Sequence, residues 1–256
     1  MDVATLIGIG VAFAAVIASI FMEGSSPMSV VLPAPMMLVI GGTLGAGLAT
    51  TTLKGFIAAF SSLGKYLLYK QQDAGETVDL VVSLADKARR EGLLALEDAT
   101  RDIDDDFIKD GLQSAIDGTD PEDLRAIMEA QIDGQKAADK AIAKVFADMG
   151  GFAPTIGIIG TVVSLVHVLE NLDQPATLGH MIAAAFVATL WGLLSANLIW
   201  LPISARIKRI SELEAQKKEM AMEGLLAIQA GANPRSVGAR LRALAFDAKK
   251  PAKEAA

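Results

Sequence analysis

The sequence contains no cysteine. That excludes a disulfide framework, thiolate metal sites, CxxC redox chemistry and cysteine nucleophiles, and it leaves the redox compartment open. Aromatic residues are few, at 5%, and no basic stripe interleaves with them; with a net charge of −7 this argues against nucleic-acid binding. No GxxxxGK[ST] motif is present, so nucleotide hydrolysis is not the energy source. No enzymatic activity and no cofactor are expected. The most informative absence is of charge: four long stretches contain no Lys or Arg, and their interiors contain no Asp or Glu either.

Apolar residues make up 52% of the chain, and its mean hydropathy is +0.41. Both are well above what a water-soluble core requires, so the chain is expected to lie in a membrane, against lipid. Crossing the hydrocarbon layer takes about 20 mostly apolar residues. Val3–Met22, Val30–Leu53, Gly151–Leu169 and Met181–Ile203 meet that requirement. The first begins Met1-Asp2 without a basic leader and is longer than a signal-peptide core, so it is expected to remain in the working protein. The predicted fold is all-α: a membrane hairpin over 1–53, a helical segment over 54–148, two further spans over 149–204, and C-terminal helices with a disordered tail over 205–256.

Orientation follows from the basic residues. Of 23 Lys and Arg, 12 lie between Lys54 and Lys144 and 11 between Arg206 and Lys253; the connectors Glu23–Met28 and Glu170–His180 have none. Basic residues flanking spans stay on the cytoplasmic side. The 54–144 segment, the tail and both termini are therefore expected inside, and the two connectors outside.

The inner segment has helical periodicity. Val78, Leu80, Val81, Leu84 and Ala85 recur at helical spacing between Thr77 and Arg90. Asp120-Pro121-Glu122-Asp123 supplies an N-cap, a proline for the first helical position and first-turn acids. That helix has no breaker before Met149 and is expected to run into the third span. Past the fourth span, helices are expected over Arg206–Ala230 and Arg235–Leu244, separated by Gly231-Ala232-Asn233-Pro234, with Lys249–Ala256 disordered.

Small residues in the spans (Gly41 and Gly45, Gly157 and Gly160, Gly192 and Ala196) are expected to allow close helix approach. Thr161 and Thr189 lie near the middles of spans three and four, at similar depth in antiparallel neighbours. The ordinary role of such a hydroxyl is to bond its own i−4 carbonyl. Pro154 and Pro202 each sit near the inner end of a span and are expected to form a matched pair of kinks. His167 belongs to the outer interface. An ion pathway normally requires an intramembrane carboxylate, yet Asp2, Glu23 and Glu170 all lie at span ends. If this chain moves ions, a second polypeptide supplies the acid.

The FAPTIGIIGTVVSLVHVL segment, the AAAFVATLWGLLSANLIWLPIS segment, the tail EGLLAIQAGANPR and the four-span layout together resemble the MotA/PomA family of flagellar stator subunits, over about residues 2 to 245. The resemblance implies a homo-oligomeric ring, a pentamer in that family, around B subunits that each contribute the transmembrane aspartate. It implies residence in the bacterial inner membrane and transport of Na⁺ or H⁺. Thr161 and Thr189 match threonines lining the ion site; Thr161 resembles the sodium-type members, whereas Ala188 departs from some of them. Pro154 and Pro202 match the coupling prolines. Arg89 and Glu97 in ARREGLLALE match the pair facing the rotor protein FliG, with Arg90 an alternative to Arg89. From charge alone, these residues would be a solvated helix face.

Two other readings remain open at this level: an ExbB/TolQ-type proton channel energising outer-membrane work, which normally has three spans, and a passive membrane scaffold. The topology is directly testable because the chain lacks cysteine. Ser26→Cys and Gln174→Cys are expected to react with an impermeant thiol reagent added outside intact cells, and Asp117→Cys is not. Labelling at Asp117→Cys would contradict the assigned orientation.

Overall fold

In the computed structural model, which describes residues 4–70 and 73–244, every regular element is helical. The expected disordered tail, Lys249–Ala256, lies outside the described residues. The chain divides into two compact units, Met1–Lys70 with Asp139–Ile210 and Gln71–Ala138 with Ser211–Ala256. The first unit thus takes in more than the expected membrane segments, since it includes the helices after the second span and residues 139–148 and 205–210, which flank spans three and four.

The first unit contains α1 (Ala4–Met22), α2 (Pro33–Ala49), α3 (Leu53–Ser61) and α4 (Leu63–Leu67). The expected single span over Val30–Leu53 is broken at both ends. A 3₁₀ turn, Pro27–Val30, precedes α2, and the chain bends by 120° between α2 and the α3–α4 pair. Apolar composition continues through this region, but hydroxyls stop one helix and start the next. Thr50 Oγ1 donates to the Gly47 carbonyl at 2.9 Å, and Thr52 Oγ1 caps α3 by accepting from the Gly55 amide at 3.0 Å. Among the described residues, three helical runs are long and apolar enough to cross a membrane: α1, Pro121–Glu170 and Thr177–Gln229. The 17 residues of α2 fall at the short end of the spanning range.

As its capping signals predict, α8 begins at Pro121, with Asp120 Oδ1 accepting from the Glu122 amide at 2.9 Å, and it continues unbroken to Glu170. Next come α9 (Pro175–Ser195), a π turn over Ala196–Trp200, and α10 (Leu201–Gln229). Ala143, Phe146 and Met149 of α8 pack with Ile203, Ile207 and Ile210 of α10 and with Ala59 and Tyr66 in one apolar cluster. Inside it, the buried Tyr66 hydroxyl donates to the buried Asp139 carboxylate at 2.7 Å. Burial and this bond hold the Tyr66 phenol well above its ordinary pKa.

The second unit packs α5 (Ala74–Glu91), α7 (Asp106–Ile116) and α11 (Pro234–Leu244) with the first turns of α8 and the last of α10. Val78, Val81 and Ala85 of α5 form the predicted apolar stripe and are buried. Asp105 caps α7, accepting from the Phe107 amide at 3.1 Å, and pairs with Lys217 at 2.7 Å. Burial would raise its pKa, but the Lys217 hydrogen bond and charge, with two backbone amides, lower it overall. The unfolded value is therefore the higher one. The pair's stabilisation is complete above that value and is lost as pH falls through the depressed one.

Tyr66→Phe leaves the buried Asp139 carboxylate short of one donor. A loss of about 1–3 kcal/mol is expected, measured as a lower melting midpoint of the full chain in detergent. An unchanged midpoint would show that this bond does not hold α4 against α8.

Candidate functional site

The site is built on the crossing of α8 and α9, where glycine brings two backbones together. A Cβ at Gly192 would lie 2.7 Å from the Ala153 carbonyl oxygen, and one at Gly157 would lie 2.9 Å from the Ala188 carbonyl oxygen. Neither obstacle is a side chain that could swing away, so both positions require glycine. Gly160 abuts the Ala188 methyl group. Gly41 and Gly45 have nothing within 4 Å of an added Cβ, so the close approach expected there does not occur within this chain. The contrast has a simple origin: small-xxx-small spacing permits approach, and only a facing helix realises it.

That crossing brings Thr161 and Thr189 into direct contact, with hydroxyl oxygens 2.5 Å apart. Thr161 Oγ1 also lies 3.2 Å from the Gly157 carbonyl, the ordinary i−4 acceptor, and 2.9 Å from the Ala185 carbonyl on α9. A hydroxyl has one proton and carbonyls only accept. All three contacts are satisfied when Thr161 shares its single proton between the two carbonyls and Thr189 donates to Thr161. The Thr189 oxygen then keeps acceptor capacity free, as a cation ligand or as the partner of a protonated carboxyl group needs. No group of three or more His, Asp or Glu residues suited to a metal occurs among the described residues.

The two prolines, expected from sequence to form a matched pair of kinks, sit in different local settings. Pro154 lies within an unbroken α8. Pro202 is the second residue after the π turn, where the Leu201 amide donates to the Ala196 carbonyl five residues back. A proline has no amide to offer the carbonyl four residues earlier, and its ring crowds that carbonyl. Widening the preceding turn relieves the conflict. Two residues later, buried Ser204 donates to the Ala143 carbonyl of α8 at 2.8 Å, tying α10 to α8 beside the turn. His167 is exposed at the far end of α8 with Asn171 and Glu170, in keeping with an interfacial place.

The charged residues are separate from this site. Arg90 pairs with Asp86 at 2.8 Å, one turn back on α5. Arg89 and Glu97 are exposed, and neither forms an ion pair among the described residues.

Three features of the first unit were missed in the sequence because their partners are distant along the chain. Besides Tyr66 with Asp139 and Ser204 with Ala143, Trp191 of the ATLWG segment donates its indole N–H to the Val30 carbonyl at 2.6 Å. Val30 ends the 3₁₀ turn, and Pro33 and Pro35 beyond it have no amide to offer. A tryptophan at a membrane depth where its N–H needs an acceptor was the available signal.

Long apolar helices that cross close to one another, with hydroxyls at the crossing and no ionised residue in the expected spans, define an all-helical protein of the polytopic membrane class. Residues 99–220 match the MotA/TolQ/ExbB proton channel family, and residues 6–92 match the motility protein A N-terminal domain. Motility protein A of Bacillus subtilis is 36% identical over 244 residues, which cover 94% of this chain and 90% of that protein. Chemotaxis protein PomA of Vibrio alginolyticus is 33% identical over 242 residues, 94% of each chain. The flagellar MotAB stator complex from Bacillus subtilis aligns with a TM-score of 0.88 at 35% identity, over 94% of this chain and 95% of that one. This chain belongs to the motility protein A family.

The glycine contact makes a differential prediction. Gly192→Ala is expected to separate the helices and lower the melting midpoint of the full chain in detergent, while Gly45→Ala leaves it within about a degree, as for a site where added atoms meet nothing. Equal effects would mean that the α8–α9 crossing is not glycine-limited.

Proposed function

We propose that this chain is the A-type subunit of a flagellar stator, which couples the fall of a cation across the membrane to rotation. The observation that carries this reading is the Thr161–Thr189 hydroxyl contact at a glycine-limited crossing, in spans with no ionisable group except His167 at an outer end. Hydroxyls can complete a cation site but cannot by themselves hold a transported proton. The B-type partner supplies the membrane aspartate, and copies of this chain form the ring around it, a pentamer as in the family. The chain lies in the bacterial inner membrane with both termini in the cytoplasm.

Each cation falling through 100 mV releases about 2.3 kcal/mol, so a rotational step draws on one or a few such events. The partner's aspartate takes up the cation beside Thr189 and releases it inward. Movement of the crossing passes along α8, which continues from the site into the second unit, and along α10 beyond Pro202. Pro154 loosens the first route by one backbone hydrogen bond and the π turn before Pro202 loosens the second. Arg89 and Glu97, which form no ion pair among the described residues, deliver the force to the rotor protein FliG. The match of residues 6–92 to a motility domain favours the stator over an ExbB/TolQ-type channel.

Sodium is the favoured ion. Na⁺ needs several oxygen ligands and a proton needs only the carboxylate, so the Thr161 and Thr189 oxygens are most useful to sodium. Thr161→Ala removes one of these oxygens and the acceptor that orients Thr189. At about 1–3 kcal/mol for a buried polar partner, the sodium concentration for half-maximal swimming speed should rise roughly 5- to 150-fold. Swimming that persists unchanged without sodium, and collapses with a protonophore, would show that protons drive the motor.

A further inference from the structure

The N-terminal half of α1 leaves an open groove against the π turn and α10. Gly8, Ile9 and Ala12 line it on α1, and Leu198, Pro202 and Ala205 line it opposite. The groove encloses about 480 Å³ and lies wholly within the first unit. A Cβ added at Gly8 would find nothing within 4 Å, so the two walls do not close on each other there as α8 and α9 do at Gly157 and Gly192.

The lining changes character along its length. At the far end on α10 it holds Arg206 and Arg209, just past Ile203, where the expected fourth span ends. From Asn197, where the lining begins on that side, to Arg209, a helix rises about 18 Å. One leaflet supplies about 15 Å of hydrocarbon, half of a core about 30 Å thick, before the headgroups begin. The apolar part therefore has the length of an acyl chain, and the arginines fall at headgroup level on the side assigned to the cytoplasm. Basic pockets between spans at that level attract anionic headgroups. Each guanidinium carries five N–H donors in a fork that fits phosphate, so a bond made within the chain leaves others available. We propose that this groove binds an anionic phospholipid of the cytoplasmic leaflet, with one acyl chain between α1 and α10 and the phosphate on Arg206 and Arg209. The inference goes beyond the stator reading and rests only on the inward placement of the basic segments. The lipid fills space that neither helix fills, and it joins α1 to the part of α10 that follows the π turn.

The test is native mass spectrometry of the full chain, in the assembly it forms in detergent, with added phosphatidylglycerol or phosphatidylcholine. The unaltered chain is expected to retain phosphatidylglycerol in preference to phosphatidylcholine. Arg209→Gln, at an exposed position, should reduce that preference about 5-fold, the scale of one basic residue beside an anionic lipid. Gly8→Leu fills the groove from a position where added atoms meet nothing, and should remove the site for both lipids. Gly10→Leu, equally open but outside the lining, is the control and should change neither. Equal retention of the two lipids by the unaltered chain, or an unchanged preference in Arg209→Gln, would overturn the headgroup assignment. Retention that survives Gly8→Leu would put the lipid elsewhere and overturn the groove. Loss of subunits from the assembly in Gly8→Leu, but not in Gly10→Leu, would show that another copy of this chain occupies the groove, and the lipid proposal would fall.

Discussion

The first unit depends on one steric fact: α8 and α9 meet backbone to backbone. At Gly157 and Gly192 the nearest atoms facing one another are main-chain atoms, and a single added methyl group would overlap a carbonyl oxygen that cannot move aside. Without a hydrophobic drive between helices in lipid, such packing, together with hydrogen bonds across it, is what holds two spans together. The crossing therefore sets the distance between helices and selects which side chains can meet. Two hydroxyls do so, and the proton accounting between them follows from that geometry.

Away from the crossing, polar bonds add to the apolar packing between the helices. Trp191 secures the chain before α2, Ser204 secures α10 to α8 beside the π turn, and Tyr66 secures α4 through Asp139. Each uses a buried or half-buried donor that would be costly to leave unmade. Trp191 and Ser204 lie on either side of the π turn over Ala196–Trp200, which ends two residues before Pro202.

The parts of this structure that could be read from sequence are those set locally. Asp120-Pro121 opened α8 where its capping chemistry said it would, the apolar stripe of α5 is buried, and Pro234 starts α11 after the expected break. The equal depth of Thr161 and Thr189 followed from counting along antiparallel helices, and their contact follows from that depth plus the glycines. What was hidden depends on partners far along the chain: Tyr66 and Asp139 are 73 residues apart, and Trp191 and Val30 are 161 apart. The bend after α2 was hidden for another reason, since hydropathy averages over Thr50-Thr51-Thr52 and misses the side-chain bonds that end one helix and cap the next. The prolines looked equivalent, but only Pro202 follows a widened turn.

The expected spans of this chain carry hydroxyls but no acid, so conduction is predicted to require a second polypeptide. The most direct test is cation flux into proteoliposomes under an imposed membrane potential, with this chain alone and together with its B partner. Flux that appears only with the partner, and is lost when the partner's membrane aspartate is replaced by asparagine, is the predicted result. Flux through this chain alone, or flux that survives loss of that aspartate, would contradict it.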